Sequence, residues 1–382
     1  MLLPDWLKNY QRAQLNGDFL AGIIVAVVLI PQSMAYGMLA GLPPEIALYS
    51  SALPLILYAA FGSSRTLAVG PVGLMSLMTG TTIIELELVL ANEIVTAAHT
   101  LALLIGIILL LMRILKLGAV INFLSHPVIS GFVSGSAIII ALSQMKHIFG
   151  LDLPSGLPAY ETLYLITTQA PQSNLVTLLI GLVSLLLLWC FKAPLAHLLK
   201  KKGTAEAVVQ FISKSGPLIA VVFSTFAVFH LELNKQFNVP IIGHVPLGLP
   251  NIIVPNINPQ LVMQLLPNAL LIALIGYLES ISIAKSMASQ KRQKINSNKE
   301  LVGLGSANIA SAISGGLPVA GGFGRSMVNF SAGANSPLAS VITAGLVSLT
   351  LVALTPLFFF LPKAAVIPPL ITEVLSRGYA AF

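Results

Sequence analysis

The stretch from Ser314 to Asn329 (SGGLPVAGGFGRSMVN) constrains this chain more than any other. It lies between long apolar runs, yet its five glycines and Pro318 interrupt any continuous membrane helix. They predict an extended path through Gly322, then a short helix from Phe323 with Arg325 in its first turn. Non-helical backbone at membrane depth is tolerated only where protein or a water-filled cavity satisfies its polar groups. A helix that begins inside the bilayer aims unbonded N–H groups and a partial positive charge at that cavity, a setting that favours an anion. For one such segment taken alone, a Gly-rich kink or a re-entrant loop without a ligand is the plain alternative.

A second copy tips the balance. Phe61 to Met78 (FGSSRTLAVGPVGLMSLM) repeats the layout of small residues, an extended piece, Gly70-Pro71 and then a helix. Leu67–Val69 falls on Leu317–Val319, and Gly73–Ser76 lies near Gly324–Met327. Interrupted segments in corresponding positions of two halves point to a transporter's binding site. The pair reads as two half-helices facing each other across one anion site.

Composition fixes the class. Of 382 residues, 56% are hydrophobic and only 9% charged, with a mean hydropathy of +0.91. An ordinary soluble protein carries about a quarter charged residues, so the chain reads as an all-α polytopic membrane protein. Its opening residues read as a short interfacial helix rather than a cleavable signal. Cys190 is the single cysteine, which excludes a disulfide framework and a cysteine metal cluster. His126, His147 and His244 lack metal-ligand spacing and read as structural. No HExxH, Walker loop, GxSxG elbow or catalytic carboxylate pair is present. The chain is therefore read as neither an enzyme nor an ATP-driven pump, and no cofactor is expected.

At about twenty apolar residues per crossing, about twelve spans are expected. They are Phe19–Ala40 (broken at Pro31), Glu45–Phe61, the half-helix after Pro71, Ile94–Leu115, Val128–Gln144, Leu175–Phe191 and Gly216–Phe229. Then come Leu261–Ala284, Leu301–Ile313, the half-helix from Phe323, Leu338–Leu354, and Leu357–Leu375. The last is a poor span because it carries Lys363 and Pro368-Pro369. With a cytoplasmic N-terminus, Arg12, Arg65, Arg113, Lys116, Lys200–Lys202, Lys291, Arg292, Lys294 and Lys299 all fall inside. The outer loops hold Lys146 and Lys235 among acidic residues such as Glu85, Glu87, Asp152 and Glu232. This is the positive-inside pattern, and it explains the net charge of +7 without nucleic acid. The second repeat restarts at the eighth span and is expected to stop early, leaving the chain shortened relative to its relatives.

Three places carry chemistry. Pro31 interrupts the first span, and Gln32 and Tyr36, one turn apart, can offer an amide and a hydroxyl to an oxyanion from one side. The plain alternative is a proline kink with a polar residue satisfying freed backbone. Glu279 lies well inside the eighth span, and a carboxylate there is a functional candidate because burying its charge is costly. It can carry a proton, or form a static ion pair with Arg325 or Lys285. Arg325 can attract the anion or be neutralised by Glu279.

At these residues the chain resembles the SulP family of anion transporters, the sulfate permeases related to chloride/bicarbonate exchangers and prestin. The resemblance rests on Asp18–Gly22 with Ile30–Tyr36, on Val69–Val72, on Leu278–Lys285, on Asn298–Leu301 and on Gly324–Ser326. It implies a seven-plus-seven transmembrane inverted-repeat, SulP-like fold, with a core domain (1–120 and 255–355) and a gate domain (121–254, restarting at 356–382 and truncated). The STAS domain that usually follows in the family is not expected in this chain. It also implies that Gln32 and Tyr36 line the site from the first span, Val72 and Gly73 from the third, and Gly324, Arg325 and Ser326 from the tenth. Glu279 falls where proton-coupled members have an acidic residue. Gly324 stands where several members have a serine, which leaves backbone alone to meet the anion there.

The expected function is secondary active transport of an inorganic anion, sulfate first, by proton symport with elevator-type alternating access. Bicarbonate or dicarboxylate transport or anion exchange is the nearest alternative. A nucleobase transporter of the same fold is disfavoured, because its tenth span would need an acidic residue where this chain has glycines and Arg325. A channel or a non-transporting relic is the remaining rival. The implied partners are the anion, protons, membrane lipid and a second copy of the chain as a homodimer. The implied location is the plasma (inner) membrane.

Overall fold

The structure, a computed structural model, describes residues 4–8, 10–88, 90–118, 126–154, 157–192, 194–203, 208–209, 212–213, 215–253 and 258–380. The chain runs first through α1 (Leu15–Leu39), α2 (Pro44–Tyr49), α3 (Leu53–Phe61), β1 (Val69–Gly70), α4 (Gly73–Ile84) and α5 (Ala91–Ile114). Next come α6 (His126–Phe149), α7 (Ala159–Gln169), α8 (Leu175–Lys192), α9 (Pro194–Lys201) and α10 (Gly216–His230). The last part holds α11 (Pro259–Gln290), α12 (Ser297–Ile313), β2 (Ala320–Gly321), α13 (Phe323–Ser331), α14 (Leu338–Leu349) and α15 (Lys363–Ala380).

The burial pattern is that of a bilayer protein. Along α8 the small or polar Thr177, Gly181 and Ser184 are buried, while Leu179, Leu182, Leu186 and Trp189 are exposed. On α10, Gly216, Ala220 and Ser224 turn inward, and Phe223, Phe226 and Phe229 turn outward. Small residues let helices approach closely, and large apolar ones meet lipid. Water would reverse this arrangement. Among the described residues, six helices are long and apolar enough to cross a membrane.

Two groups of helices pack mainly among themselves. α5 packs against α11 and α12, α3 against α12 and α14, and α1 against α13 and α14. α6, α8, α10 and α15 form the second group, which meets the first mainly along α1 and α4. The expected domain boundaries at 120/121 and 254/255 lie outside the described residues.

Two buried carboxylates tie the first group together at its loops. Asp18 accepts the N–H groups of Asn335 (2.6 Å) and Ser336 (3.0 Å) and the Ser336 hydroxyl (2.6 Å), fixing the turn before α14. Glu300 accepts the Tyr58 hydroxyl (2.7 Å), the N–H groups of Ser63 (2.7 Å) and Ser64 (3.0 Å), and the Ser63 hydroxyl (2.7 Å). Beyond the end of α11, Lys291 donates to the Ala334 carbonyl and lies 5.0 Å over the Phe330 ring. Burial pulls its ammonium pKa below the ordinary lysine value, and the Asp18 charge partly opposes that.

Helix limits depart from the sequence reading in three places. α1 runs unbroken through Pro31, which removes a single N–H and leaves the helix otherwise intact. The second span is instead divided at Ser50–Ala52, with Pro54 in the first turn of the helix that follows the break. There the Ser50 hydroxyl donates to the Ile46 carbonyl (3.0 Å) and accepts the distant Leu317 N–H (2.7 Å). The span expected over Leu357–Leu375 starts at Lys363, after π and 3-10 turns over Thr350–Phe358.

Candidate functional site

The two interrupted segments meet. β1 and β2 form an antiparallel ribbon with Val69 opposite Gly321 and Gly70 opposite Ala320. α4 and α13 begin at Gly73 and Phe323, directly beyond it, so the two helix starts are neighbours.

A buried stretch of non-helical backbone is stable only if its polar groups are paired, and side chains supply that pairing here. The Leu317 N–H donates to Ser50, and its carbonyl accepts from Ser311 (2.6 Å). Asn308 acts as a one-residue strand: its Oδ1 accepts the Val319 N–H (3.0 Å) and its Nδ2 donates to the Val319 carbonyl (2.9 Å). Ser280 accepts the Gly321 N–H (2.8 Å), and the Gly322 N–H donates to the Ala68 carbonyl (3.0 Å). On the other side, the Ser326 hydroxyl accepts the Ala68 N–H (3.0 Å), and Asn329 donates to the Thr66 carbonyl (3.0 Å).

The helix starts are left open. The residues before them, Val72 and Gly322, are extended, and neither contributes a side-chain cap. The first-turn N–H groups of Gly73 and Leu74, and of Phe323 and Gly324, have no helical acceptor and sit at the positive ends of two dipoles.

Arg325 gathers the remaining candidates. It is 1% exposed. Its Nη1 lies 3.5 Å from Gln32 Oε1, and its Cζ is 5.9 Å from the centre of the Tyr36 ring. Two glycines make room for it. Gly70 has φ +154°, which disfavours any side chain, and a Cβ there would stand 3.4 Å from Arg325 Nη2. At Gly322 a Cβ would stand 2.9 Å from the same nitrogen and 3.3 Å from Val72 Cγ1. Gln32, Tyr36, Val72 and Arg325 are thus brought into one buried cluster, with Gly73 adjoining in the chain.

The other expected residues stand differently. Gly324 is half-buried in the first turn of α13. The Ser326 hydroxyl is engaged in bracing the ribbon, donating to the Gly322 carbonyl at 2.6 Å as well as accepting from Ala68. Glu279 is 7% exposed on α11, which packs on β2 and α13, and its neighbour Ser280 fixes that contact. Sequence reasoning missed Ser50, Ser280, Asn308, Ser311 and Asn329. The available signal was two asparagines and three serines inside apolar stretches. A cleft of about 380 Å³ runs between α1 and α4 on one side and α6 and α7 on the other. It reaches Leu74 in the first turn of α4 and holds Gln144 and Lys146 at its far wall.

Residues 15–377 match the sulfate permease family. The chain is 36% identical over 373 residues to sulfate transporter 4.1, chloroplastic, of Arabidopsis thaliana, covering 97% of this chain and 52% of that relative. It thus spans about half the length of that curated relative. Among solved structures it is similar to SLC26A9, with a TM-score of 0.89 and 24% identity over 98% of this chain and 60% of that one. It is also similar to the transmembrane domain of the cyanobacterium bicarbonate transporter BicA, with a TM-score of 0.83 and 24% identity over 96% and 90% of the two chains. At that identity the likeness to solved structures carries the fold.

Proposed function

The chain belongs to the sulfate permease family, and from that premise we propose that it is a secondary active transporter of inorganic oxyanions, with sulfate as its first substrate. The observation that carries the reading is a guanidinium buried where two uncapped helix starts, an amide and a phenol converge. An oxyanion there accepts hydrogen bonds from the first-turn N–H groups of α4 and α13, from Gln32 and from Tyr36. Arg325 offsets its charge at short range, where a low-dielectric setting makes that attraction strong. Val72, Gly73 and Gly324 line the site through backbone. Ser326 serves it as a brace, since its hydroxyl already has two partners. The site lacks the acidic side chain on α13 that would hold a nucleobase edge.

Glu279 is the proposed proton carrier. Protonation removes a charge that repels the anion, so a proton and an anion bind together more readily than either alone. In the same reading α1–α5 with α11–α14 form the moving core, and α6, α8, α10 and α15 form the gate. The two repeats of the fold are inverted, the N-terminus is cytoplasmic, the membrane is the plasma (inner) membrane, and two copies pair as a homodimer.

The test is uptake of labelled sulfate by the purified chain in proteoliposomes, with and without an inward proton gradient. Unlabelled bicarbonate and dicarboxylates serve as competitors. Sulfate uptake that rises with the gradient and falls about a hundredfold in Arg325→Gln is expected, on the scale of a lost charge-assisted hydrogen bond to an anion. Uptake of bicarbonate without sulfate would replace sulfate as the substrate. Unchanged uptake in Arg325→Gln would remove Arg325 from the site.

A further inference from the structure

The chain passes between the two helix groups three times, after α5, after α10 and after α14. The second and third passages meet, on the face that the positive-inside pattern assigns to the outside. The Ile242 N–H donates to the Leu361 carbonyl (2.8 Å) and the Lys363 N–H to the Pro240 carbonyl (3.0 Å), with Ile241 opposite Pro362 in antiparallel register. The Gly243 N–H donates to the Phe359 carbonyl (3.1 Å). Further along, the Gly248 N–H donates to the Leu351 carbonyl (2.9 Å), and the Ile253 N–H to the Ile313 carbonyl at the end of α12 (2.8 Å). Because the two linkers run antiparallel, like ends lie together. One end is tied beside α10 and α15, the other beside α12 and α14. Neither linker crosses alone.

Between the tied ends the backbone changes character. Gly243 and Gly248 bracket His244–Leu247, with φ of +82° and +120°. A Cβ at either would meet nothing within 4 Å, so torsion rather than crowding calls for glycine at both. Opposite them the second linker is coiled into a π turn over Thr350–Leu354 and a 3-10 turn over Thr355–Phe358. Short turns of these kinds mark hinges and functional sites in helical chains, and coiled backbone stores length that an extended strand lacks. Packing is uneven in the same way. Val239, Leu361 and Pro362 at the first tied end are buried, while Leu247, Val352 and Leu357 in the middle are exposed. Few apolar contacts hold the middle in one conformation.

We propose that the two linkers form a single hinge strap: its ends stay paired, and its middle, Gly243–Gly248 against Leu351–Phe358, absorbs the displacement of the first helix group past the second. The inference rests on the reading of the first group as a moving core. Hinges of this kind are a few loop or element-terminal residues that take up large changes in φ and ψ. Joining the linkers also restricts the movement. Two separate tethers would leave the first group two independent pivots, whereas one paired strap leaves a single edge about which it swings.

The experiment uses the full chain carrying Cys190→Ser in proteoliposomes, read by labelled-sulfate uptake and by hydrogen–deuterium exchange on the same samples. Residues 241 and 362 face each other between two ladder bonds, the register in which side chains stand closest. Ile241→Cys with Pro362→Cys can therefore close a disulfide, and oxidation should leave uptake within about twofold of the reduced sample. Leu77→Cys with Ile139→Cys, on the α4 and α6 walls of the cleft, should stop uptake when bridged by a bis-maleimide. Gly243→Ala with Gly248→Ala places Cβ atoms at positive φ and should slow uptake about tenfold with sulfate affinity unchanged. Exchange should be slow at the amides of Ile242, Gly243 and Lys363 and fast over His244–Leu247. Loss of uptake on oxidising the 241–362 pair, or wild-type uptake in the double glycine variant, would overturn the hinge and leave the moving core standing. Uptake that continues with the cleft bridged would instead overturn the moving core. If the chain carries no sulfate at all, exchange decides alone: slow exchange along the whole strap, or fast exchange at its paired ends, would overturn the hinge.

Discussion

Asn308 is the most exacting test of how the ribbon is held. Its side chain is fully buried and forms both bonds to Val319, with a further bond from Nδ2 to the Leu304 carbonyl at 2.9 Å. Asn308→Ala leaves a buried N–H and a buried C=O of Val319 without partners. Each such group costs about 1–3 kcal/mol, so the variant should lose about 2–5 kcal/mol. At about 2 °C for each kcal/mol in a chain larger than a small domain, its apparent melting temperature should fall by about 4–10 °C. The assay is heating in detergent followed by size-exclusion chromatography of the surviving monodisperse protein. Asn308→Asp sharpens the test: one oxygen still accepts the Val319 N–H, but the other faces the Val319 carbonyl and can donate to it only when protonated. Its melting temperature should therefore rise as pH falls, relative to wild type. A drop of under a degree in Asn308→Ala, or an Asn308→Asp variant indifferent to pH, would refute the view that this side chain stands in for a strand.

Gly322→Ala should weaken sulfate binding about tenfold or more while leaving the melting temperature within a few degrees. The new Cβ would lie 2.9 Å from Arg325 Nη2 and push the guanidinium off Gln32, a displacement on the scale of an overpacked core site. Titration calorimetry with sulfate reads the binding, and affinity equal to wild type would show that the guanidinium position does not matter. Glu279→Gln, which mimics the protonated carboxyl, should bind sulfate without the strengthening at lower pH expected of the wild type, and should fail at gradient-driven accumulation. Accumulation that stays dependent on pH in this variant would remove Glu279 as the proton carrier.

The interrupted segments were legible because proline and glycine clusters cannot continue a membrane helix, and because the pattern occurs twice. The extended paths and the starts of α4 and α13 follow from that alone. Gln32 and Tyr36 were legible by their one-turn spacing, and both do meet Arg325. The serines were not. A serine in a membrane helix ordinarily donates to the carbonyl one turn back, as Ser306 does to Val302 (2.8 Å) and Ser331 to Met327 (2.6 Å). Ser280 makes the same local bond to Gly276 (2.6 Å), yet its oxygen also accepts a N–H from β2, far along the chain. The local bond hides the distant one, so spacing alone does not reveal a bracing serine. The division of the second span at Ser50–Ala52 did carry a signal in Pro54, but the bond that fixes it reaches Leu317 in the other half of the sequence.

The bonds across the ribbon also bear on how a carrier of this kind can work. The path into α4 takes Ala68 and Thr66 contacts from α13, through Ser326 and Asn329, and Ala68 returns a bond to Gly322. The path into α13 is fixed by α2, α11 and α12 through Ser50, Ser280, Asn308 and Ser311. Separating the two helix starts would therefore break several buried bonds at once, each worth more in a low-dielectric setting than at the surface. If an anion is held there, as proposed above, its release by prying the half-helices apart would be costly, and moving the whole first group past α6, α8, α10 and α15 is the route we propose. Contacts between the groups are concentrated on α1 and α4, and a cleft runs between α4 and α6. A site rigid in itself and exposed by displacement of its surroundings is what an elevator-type carrier requires. The variants at Asn308 and Gly322 separate the two demands, because the first loosens the rigid unit while the second alters only what it holds.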